Sequence, residues 1–422
     1  MHTTDILVLG AGIVGVSTAV HLRRRGLNVV LIDRRHPGEE TSFGNAGIVE
    51  RNGFVPPSIP LNPAVLLEIA LNQSTAVVYS PKTLVGLLPW LRAFQKNAAR
   101  PGVQRHAHAV APLRARAVAE HQDLARQANA QRFYRKSGWL HLYRTASGFA
   151  DGETERHYAR IFGVDYQELM EGDIPSVEPG LRTGKLWGVL WPQSESVSNP
   201  AAVTEAIWRA FIQSGGSYFI GDARALRRER GQWLLETQRT TVSAPHAVLA
   251  LGPWSGALAS SLGETFPVIA KRGYHLHFRP PSGESLSRPV VDMQYGFVLT
   301  PMERGIRLTT GVDFSDMDAP PRLSQIARAQ MRANEIFPLG QPVEDKPWMG
   351  SRPCLPDSLP VVGPSSVVPG LWYNFGHGHS GFTLGPLTGR LIADLIVSQT
   401  PCTDIAPLHP DRFKAGQLGK GS

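Results

Sequence analysis

The residues that are most informative about chemistry lie in two glycine-rich loops, one near each end of the chain. Near the N-terminus, Gly10-x-Gly12-x-x-Gly15 follows the apolar run Ile6–Leu9, precedes a helical pattern and is followed by Asp33 at the end of a second apolar run. The first glycine of such a loop allows a tight turn, the second lets a pyrophosphate approach the backbone, and the third lets helix and strand pack closely. The helix start offers free N–H groups to an anion, and the acid accepts hydrogen bonds from ribose hydroxyls. The pattern predicts a dinucleotide-binding βαβ unit.

The segment after Asp33 indicates which dinucleotide is bound. Residues 40–47 (ETSFGNAG) form a small, polar loop, whereas an NAD-binding domain more often continues directly into another helix and strand. The amides and hydroxyls of this loop are suited to extend along a longer cofactor toward a flavin ring. The sequence therefore favours FAD. The residues predicted to contact it here are Gly10, Gly12, Ile13, Val14, Gly15, Asp33, Arg34, Arg35, Thr41, Ser42, Asn45, Ala46, Gly47 and Ile48.

The second glycine loop, residues 376–383, follows a strand-like segment and precedes a helical one. Its members are Gly376, His377, Gly378, His379, Ser380, Gly381, Phe382 and Thr383. Backbone N–H groups at a helix start would stabilise the negative charge that develops on the N1 and C2 carbonyl edge of a reduced flavin. The alternatives are a solvated turn or a metal site at the two histidines. We predict no metal, because a third ligand is lacking nearby.

Composition and charge exclude several other classes of protein. The chain has 422 residues, of which 42% are hydrophobic, enough to bury a large core in two lobes. The net charge of +8 comes from scattered Lys and Arg residues, so we predict no nucleic acid partner. Two cysteines provide neither a disulfide framework nor a Cys-x-x-Cys pair, which suits a reducing compartment. Basic residues follow the apolar N-terminal stretch, the wrong order for export, so we predict a cytoplasmic protein.

Five motifs, taken in order, resemble a known family. They are residues 9–15 (LGAGIVG), 40–47, 249–255 (LALGPWS), 350–360 (GSRPCLPDSLP) and 376–378 (GHG). The chain resembles, nearly end to end, the FAD-dependent D-amino-acid dehydrogenase and glycine oxidase group of the D-amino-acid oxidase superfamily. The resemblance adds Ala223, Gly252 and Trp254 to the residues expected to bind FAD.

The predicted fold class is α/β, with two domains. Continuous apolar runs predict a parallel sheet, and alternating segments such as residues 274–278 predict antiparallel strands. The expectation is a Rossmann-like FAD-binding domain of the GR2 type and a second α+β substrate domain built on a mainly antiparallel sheet. The FAD-binding domain is assigned to residues 1–52, 195–262 and 345–408, the substrate or cap domain to 53–194 and 263–344, and a C-terminal tail to 409–422.

The resemblance also implies a substrate site centred on Arg352. A guanidinium binds a carboxylate through two parallel charge-assisted hydrogen bonds and stays charged when buried. The alternative is a structural pair between Arg352 and Asp357. Tyr274, Tyr295 and Phe297 lie on strands expected to roof the pocket, and His379 is close enough to the flavin loop to face the substrate, although each of these four is more often a packing residue.

A cysteine could attach the flavin covalently, as happens in some members of this family. Cys354 lies only two residues before Pro356, which does not match the position of that cysteine. We therefore predict a non-covalent FAD and a partly buried, inert thiol.

The resemblance implies that a small D-amino or imino acid loses a hydride from its α-carbon to flavin N5, and that the imine product hydrolyses to a keto acid. Its amine would be neutral, so no protein base is strictly needed. Glycine, sarcosine or a cyclic imino acid such as D-hydroxyproline is the nearest alternative substrate. More distant alternatives are an NAD-dependent dehydrogenase and a flavin-binding subunit without catalysis.

The electron acceptor is left open among quinone, O2 and another acceptor, and so is the oligomeric state. Residues 84–91 (LVGLLPWL), followed by Arg92, Lys96 and Arg100, offer an apolar and basic segment for a peripheral contact with the inner face of the cell membrane. Core packing of this segment is the favoured interpretation, because Pro89 is expected to interrupt the helix.

Overall fold

The computed structural model describes residues 1–59, 62–182 and 184–414, and within them the chain forms twenty-four strands and eleven α-helices. The strands are β1 (His2–Thr3), β2 (Ile6–Leu9), β3 (Val29–Asp33), β4 (Ile48–Val49), β5 (Val77–Tyr79), β6 (Tyr134–Arg135), β7 (Trp139–Tyr143), β8 (Gln167–Leu169), β9 (Trp187–Trp191), β10 (Glu195–Val197), β11 (Ser217–Ile220), β12 (Arg227–Glu229), β13 (Gln232–Glu236), β14 (Thr241–Ala244), β15 (His246–Leu249), β16 (Ile269–Arg279), β17 (Val290–Asp292), β18 (Phe297–Met302), β19 (Gly305–Thr309), β20 (Val312–Phe314), β21 (Gln341–Pro342), β22 (Trp348–Cys354), β23 (Val361–Pro364) and β24 (Leu371–Phe375). The helices are α1 (Ile13–Arg24), α2 (Pro63–Ala70), α3 (Pro81–Asn97), α4 (Arg100–Gln127), α5 (Ala146–Asp151), α6 (Glu153–Ile161), α7 (Ile174–Val177), α8 (Pro200–Gln213), α9 (Ser255–Ser261), α10 (Leu323–Asn334) and α11 (Gly381–Ile396).

The first glycine loop belongs to a six-stranded sheet in the order β11-β3-β2-β15-β24-β23. All its neighbouring pairs are parallel except β23 with β24. Ile6 and Val8 face the core that includes α1 and α11, whereas Leu7 and Leu9 face the core that includes Trp233 of a small sheet, β1-β14-β13-β12. Both faces are therefore covered, which explains why these strands are apolar throughout.

A larger sheet forms the second lobe, in the order β5-β20-β16-β19-β18-β17-β7-β9-β8, with β21 and β22 also paired to β16. Its pairs are antiparallel except β17 with β7 and β20 with β5. Helix α10 packs on β18 and β19, which buries Ile326 and Ala329. A Rossmann-like parallel sheet combined with a mainly antiparallel second sheet confirms the predicted fold class.

The predicted domain boundaries can be compared with the strand pairing of these sheets. Strand β22 lies in the segment 345–408, assigned from the sequence to the FAD-binding domain, but it pairs along its length with β16 of the larger sheet. Strands β4, β10 and β6 form a separate three-stranded sheet. The division into domains stays a prediction, and residues 415–422 of the predicted tail lie outside the described residues.

Helix α3 differs from the sequence-based expectation. Pro89 lies inside a continuous helix, so the prediction that it interrupts the helix is wrong. Pro89 is on the exposed face of the helix, where water can replace a lost backbone hydrogen bond. Trp90 and Phe94 are buried on the inner face, whereas Val85 and Leu88 are 69% and 45% exposed. None of the described helices has the length and apolar character needed to span a bilayer.

Candidate active site

A cavity of about 830 Å3 lies between the six-stranded sheet and the larger sheet. On one side it is lined by Gly12 and Asp33, at the carboxyl end of parallel strands, which is where open α/β sheets bind ligands. On the other side it is lined by Arg352 and Thr310 of the second lobe. The loop before α11 closes one end through Gly378.

The N-terminal glycine loop has the geometry that a bound pyrophosphate needs. Gly10 has φ of +104°, and a Cβ there would lie 2.4 Å from the carbonyl oxygen of Ala250. Gly12 has ordinary backbone angles, φ −73° and ψ 177°, and caps α1 without a side-chain hydrogen bond. Its missing side chain leaves the start of the helix accessible from the cavity. We infer that Gly12, rather than Gly10, controls how closely a ligand can approach.

Asp33 and Ser42 tie this loop together. The Oδ2 atom of Asp33 accepts a hydrogen bond from the Ala11 N–H at 2.7 Å, and Ser42 Oγ accepts one from the Ile13 N–H at 2.9 Å. Burial raises the pKa of Asp33, while hydrogen bonds from backbone N–H groups oppose that rise. Its carboxylate therefore both holds the loop and lines the cavity.

Most of the residues predicted to bind FAD line this cavity, although many are more than 200 positions apart in the chain. They are Gly10, Gly12, Ile13, Val14, Asp33, Arg34, Thr41, Ser42, Asn45, Ala46, Ile48, Ala223, Gly252, Trp254, His377, Gly378, His379, Gly381 and Phe382. The guanidinium carbon of Arg34 lies 4.3 Å from the centre of the Trp254 ring. Two predicted FAD-binding residues from distant segments are therefore in contact with each other.

Six of the predicted cofactor residues do not line the cavity, and most of them support its walls instead. A Cβ at Gly15 would lie 1.7 Å from the Gly10 carbonyl oxygen, so Gly15 serves helix–strand packing. Gly47 and Gly376 are similarly enclosed, by the Val197 carbonyl oxygen and by the Leu355 side chain. Arg35 is exposed and pairs with Glu40 at 3.2 Å.

The remaining two wall residues, Ser380 and Thr383, use their hydroxyl groups to join distant segments. Ser380 Oγ accepts a hydrogen bond from Arg114 at 2.9 Å, and Thr383 Oγ1 donates one to the Ile48 carbonyl at 3.1 Å. Their hydroxyl groups are therefore engaged within the protein, and a direct cofactor contact by these two residues stays a prediction.

The guanidinium of Arg352 lies on the cavity wall above Gly273. It donates hydrogen bonds to the carbonyl oxygens of Gly311 at 2.9 Å and Thr310 at 3.2 Å. A Cβ at Gly273 would lie 2.4 Å from its Nη1 atom, so this glycine makes room for the guanidinium. Asp357 does not pair with it, because Asp357 pairs with Arg412 at 2.8 Å. Within the described ranges, Arg352 has no carboxylate partner.

Tyr274 is placed away from the cavity, which corrects its predicted role. Side chains alternate along a strand, and Gly273 is the residue of β16 that lines the cavity. The Tyr274 hydroxyl donates to Asp313 at 2.5 Å and accepts from Arg272 at 2.7 Å, in a fully buried ion pair on the opposite face of the sheet. Tyr274 therefore stabilises the second lobe.

Replacing Tyr274 with phenylalanine should test this structural role. We expect the free energy of unfolding to fall by about 1–3 kcal/mol, because the buried Asp313 loses a hydrogen bond. We expect kcat/KM to stay within about threefold, less than ~0.7 kcal/mol. Chemical denaturation and steady-state kinetics measure the two effects. In the control Tyr79→Phe, a hydroxyl that bonds Ala70 at the surface is lost, and stability should hardly change. If Tyr274→Phe loses turnover but keeps its stability, Tyr274 acts in the active site after all.

Tyr295 and Phe297 also lie outside the cavity lining. The guanidinium carbons of Arg144 and Arg332 lie 4.7 Å and 4.6 Å from the centre of the Tyr295 ring. Phe297 is completely buried in the core of the larger sheet. Their neighbours on the same connection, Gly296 and Val298, line the cavity instead.

The two histidines of the C-terminal loop have different surroundings. The Nε2 atom of His377 is 2.9 Å from Thr388 Oγ1, and burial lowers the pKa of His377 to about 3. His377 is therefore neutral at pH 7. His379 lines the cavity with its side chain exposed there, and desolvation inside the cavity, followed by Arg352 and Lys271, lowers its pKa. Across the described ranges, no group of three or more His, Cys, Asp or Glu residues is arranged to hold a metal ion.

Several lining residues were missed by the sequence analysis. Trp348, Trp139 and Glu50 line the cavity, and Trp348 stacks on His275 with ring centres 4.9 Å apart. The period-two alternation of β22 predicts that Trp348, Gly350 and Arg352 share one face. This alternation can be read from the sequence. The register of β22 with β16, which places these side chains beside Gly273, cannot.

The parallel sheet, its glycine loop and the second sheet across one cavity define a two-lobed dinucleotide-binding protein. A family model described as FAD dependent oxidoreductase matches residues 5–395. The chain belongs to this family of FAD-dependent oxidoreductases, which confirms the family resemblance and the choice of FAD.

Curated relatives and solved structures extend the likeness over the whole chain. The chain is 28% identical to a D-amino-acid oxidase of Bradyrhizobium diazoefficiens, covering 97% of this chain and 98% of the relative. It is 30% identical to a D-amino acid dehydrogenase of Methylobacterium nodulans, covering 94% and 96%. Glycine oxidase from Geobacillus kaustophilus shares the fold, with a TM-score of 0.75 at 22% identity and coverage of 98% and 100%.

The residues of the cavity fit an FAD. The space above Gly12 and the start of α1 suit the pyrophosphate, and Asp33 and Arg34 lie where β3 ends, beside the position expected for the adenosine ribose. The start of α11 has no side-chain cap, so its N–H groups suit the pyrimidine edge of the flavin. The cavity volume is also within the roughly 300–1,000 Å3 usual for ligand pockets.

Proposed function

We propose that this protein oxidises a small D-amino or imino acid at the carbon next to its nitrogen, and that Arg352 binds the substrate carboxylate. The observation that carries the proposal is the guanidinium of Arg352, which lies on the cavity wall and bonds only to backbone carbonyls. A cation so placed can form two charge-assisted hydrogen bonds to an incoming carboxylate. The names of the curated relatives support the D-amino acid as substrate.

The residues of this chain would act mainly by binding and orientation. Bound FAD would supply the acceptor for the hydride that leaves the α-carbon. Arg352 would hold the carboxylate and so fix the α-carbon, and the neutral His379 imidazole adds no further positive charge beside it. The substrate amine would react in its neutral form. The imino acid would then hydrolyse in water to a keto acid and ammonia.

The nearest alternative is a substrate without a side chain, such as glycine or sarcosine, or a cyclic imino acid. The fold likeness to glycine oxidase is compatible with it, although such a likeness shows the fold alone. Membership in an FAD-dependent family removes the NAD-dependent dehydrogenase from consideration. A flavin subunit without catalysis is the outcome if no amino acid reduces the flavin.

An anaerobic screen of the purified protein tests the proposal. D-amino acids, their L-enantiomers, glycine, sarcosine and hydroxyproline are added separately, and loss of the oxidised flavin absorbance is followed. We expect bleaching by D-amino acids and little by the L-enantiomers. Bleaching by glycine or imino acids alone would establish the alternative substrate class, and no bleaching at all would overturn the proposed function. Re-oxidation by air or by a quinone analogue identifies the acceptor.

We also propose that the FAD is not covalently attached. Cys354 lines a separate, smaller cavity rather than the main one, and burial raises the pKa of its thiol, although Lys271 and Arg352 oppose that rise. A buried neutral thiol is a poor nucleophile. We expect acid precipitation to release all the yellow colour into the supernatant and the unfolded chain to have the mass of its sequence. A chain heavier by one flavin would contradict this.

We further propose a peripheral contact between α3 and anionic lipid, in a cytoplasmic protein. Val85 and Leu88 are exposed on the same side of the helix as Lys82, Arg92 and Lys96. We expect the protein to co-sediment with vesicles rich in phosphatidylserine at low salt, but not with neutral vesicles. A Val85→Asp, Leu88→Asp variant should stay in solution. The lipid contact is ruled out if the parent protein also stays in solution.

A further inference from the structure

A second cavity, of about 190 Å3, adjoins the first. The two cavities share Glu50, His377, Gly378 and His379 as lining residues. The smaller cavity therefore lies directly behind the loop expected to hold the flavin edge. Its volume is many times that required for one water molecule, about 10–15 Å3 on the same kind of measure, and suits a short side chain of a ligand.

Lys271 lines the smaller cavity and lies beside Arg352. The two residues are directly opposite each other on β16 and β22. Directly opposed residues in an antiparallel pair have Cα atoms roughly 4.5–5.5 Å apart, and their side chains are on the same face. The guanidinium of Arg352 lies over Gly273, which lines the larger cavity, and Lys271 lines the smaller one.

The Lys271 ammonium is buried without an anionic partner. The side chain is 4% exposed, and its Nζ atom lies 4.2 Å and 4.7 Å from the centres of the Phe94 and Trp90 rings of α3. Aromatic rings offset only part of the cost of burying a cation. Among the described residues, Lys271 has no carboxylate or other hydrogen-bonding partner.

Lys271 and Arg352 differ from the other basic side chains that line the two cavities, because those side chains have carboxylate partners. Arg34 pairs with Glu40 at 2.8 Å, Arg114 with Glu50 at 2.5 Å and Arg224 with Asp222 at 2.5 Å. Of the Lys and Arg residues that line either cavity in the described part of the chain, only Lys271 and Arg352 lack such a partner. Two neighbouring cations are therefore available to a ligand. A ligand with a single carboxylate would use only one of them.

We propose that Lys271 binds a second anionic group of the substrate, so that the preferred substrates are dicarboxylic amino or imino acids. The α-carboxylate lies on Arg352 and the distal carboxylate on Lys271, inside the smaller cavity. This inference rests on the proposed function and narrows its substrate class. Burial and Arg352 lower the pKa of Lys271, while Cys354 opposes this, and a bound carboxylate would favour the charged ammonium.

The test compares acids with their uncharged isosteres in the FAD-loaded enzyme. The ratio of kcat/KM for D-glutamate to that for D-glutamine, and for D-aspartate to D-asparagine, isolates the distal charge. We expect the parent enzyme to favour the acid by about tenfold to a hundredfold, the range for a hydrogen bond between charged groups. Lys271→Met should bring both ratios near one, and Lys271→Arg should retain most of the preference. In the control Lys185→Met, an exposed lysine is lost and the ratios should not change.

Each outcome bears on a different claim. A parent enzyme that oxidises amides as efficiently as acids overturns the role of Lys271, and so does a Lys271→Met variant that retains the parent ratios. Because the ratios are measured in the parent enzyme, the test stands even if Lys271→Met fails to fold. If no amino acid of either kind bleaches the flavin, the proposed function itself fails. If neutral D-amino acids bleach it without preference for acids, only this inference fails.

Discussion

Replacing Arg352 with alanine is expected to lower kcat/KM for every carboxylate substrate by about a thousandfold, or ~4 kcal/mol, while the protein keeps its yellow colour. Within the described part of the chain the guanidinium bonds only to backbone carbonyls, those of Thr310, Gly311 and Arg272, so its charge is available to the substrate. Its loss removes both the binding and the orientation of the α-carbon. Stopped-flow reduction of the flavin, with the flavin content measured in parallel, checks the result.

Three further variants make this prediction specific. Arg352→Lys keeps the charge but loses the second parallel hydrogen bond, so an intermediate loss is expected. Gly273→Ala places a methyl group 2.4 Å from the unshifted guanidinium and should raise KM by displacing it. Arg239→Ala removes an exposed arginine and should leave the kinetics unchanged. Near-normal turnover in Arg352→Ala would show that Arg352 does not bind the substrate.

Replacing Gly12 with valine is expected to give a folded protein that loses FAD, with an affinity lower by about a hundredfold or more, or ~3 kcal/mol. The backbone angles of Gly12 suit any residue, so the fold should tolerate the change. A Cβ there lies 3.1 Å from Ser42 Oγ, and the branched side chain would occupy the place of the pyrophosphate. Flavin absorbance after gel filtration measures retention, and circular dichroism reports folding.

A glycine elsewhere gives the matched control. Gly86 lies exposed on α3, and a Cβ there meets nothing within 4 Å. Gly86→Ala should retain FAD fully and be slightly more stable, because alanine favours a helix. Full FAD retention in Gly12→Val would mean that the cofactor does not approach the start of α1.

The glycine loops and the parallel sheet could be predicted because their signals are local. Ile6–Leu9 is apolar at every position, which indicates a strand buried on both faces, and Gly10 begins the turn into α1 within the same short segment. The family motifs added residues from distant segments, such as Trp254 and His379, and these do line the cavity. Spacing alone could not separate such residues from Gly15 or Gly376, which support the walls.

The assignment of Tyr274 shows what a sequence pattern leaves open. Alternation along β16 predicts that Gly273 and Tyr274 lie on opposite faces, but it does not say which face meets the cavity. That depends on the ion pair of Arg272 with Asp313, which is completely buried and holds the Tyr274 hydroxyl on the far side. The partner Asp313 is on β20, and nothing local to Tyr274 indicates it.

The sequence by itself determined the class of cofactor and singled out Arg352 as the candidate for binding a carboxylate, because each is carried by a contiguous motif. Only the tertiary structure decided which groups surround that arginine. Lys271 and Arg352 come together through the register of β16 with β22, and Phe94 of α3 then covers Lys271. Such contacts depend on how sheets and helices pack across long stretches of chain, and packing is set by all the faces that must be buried together.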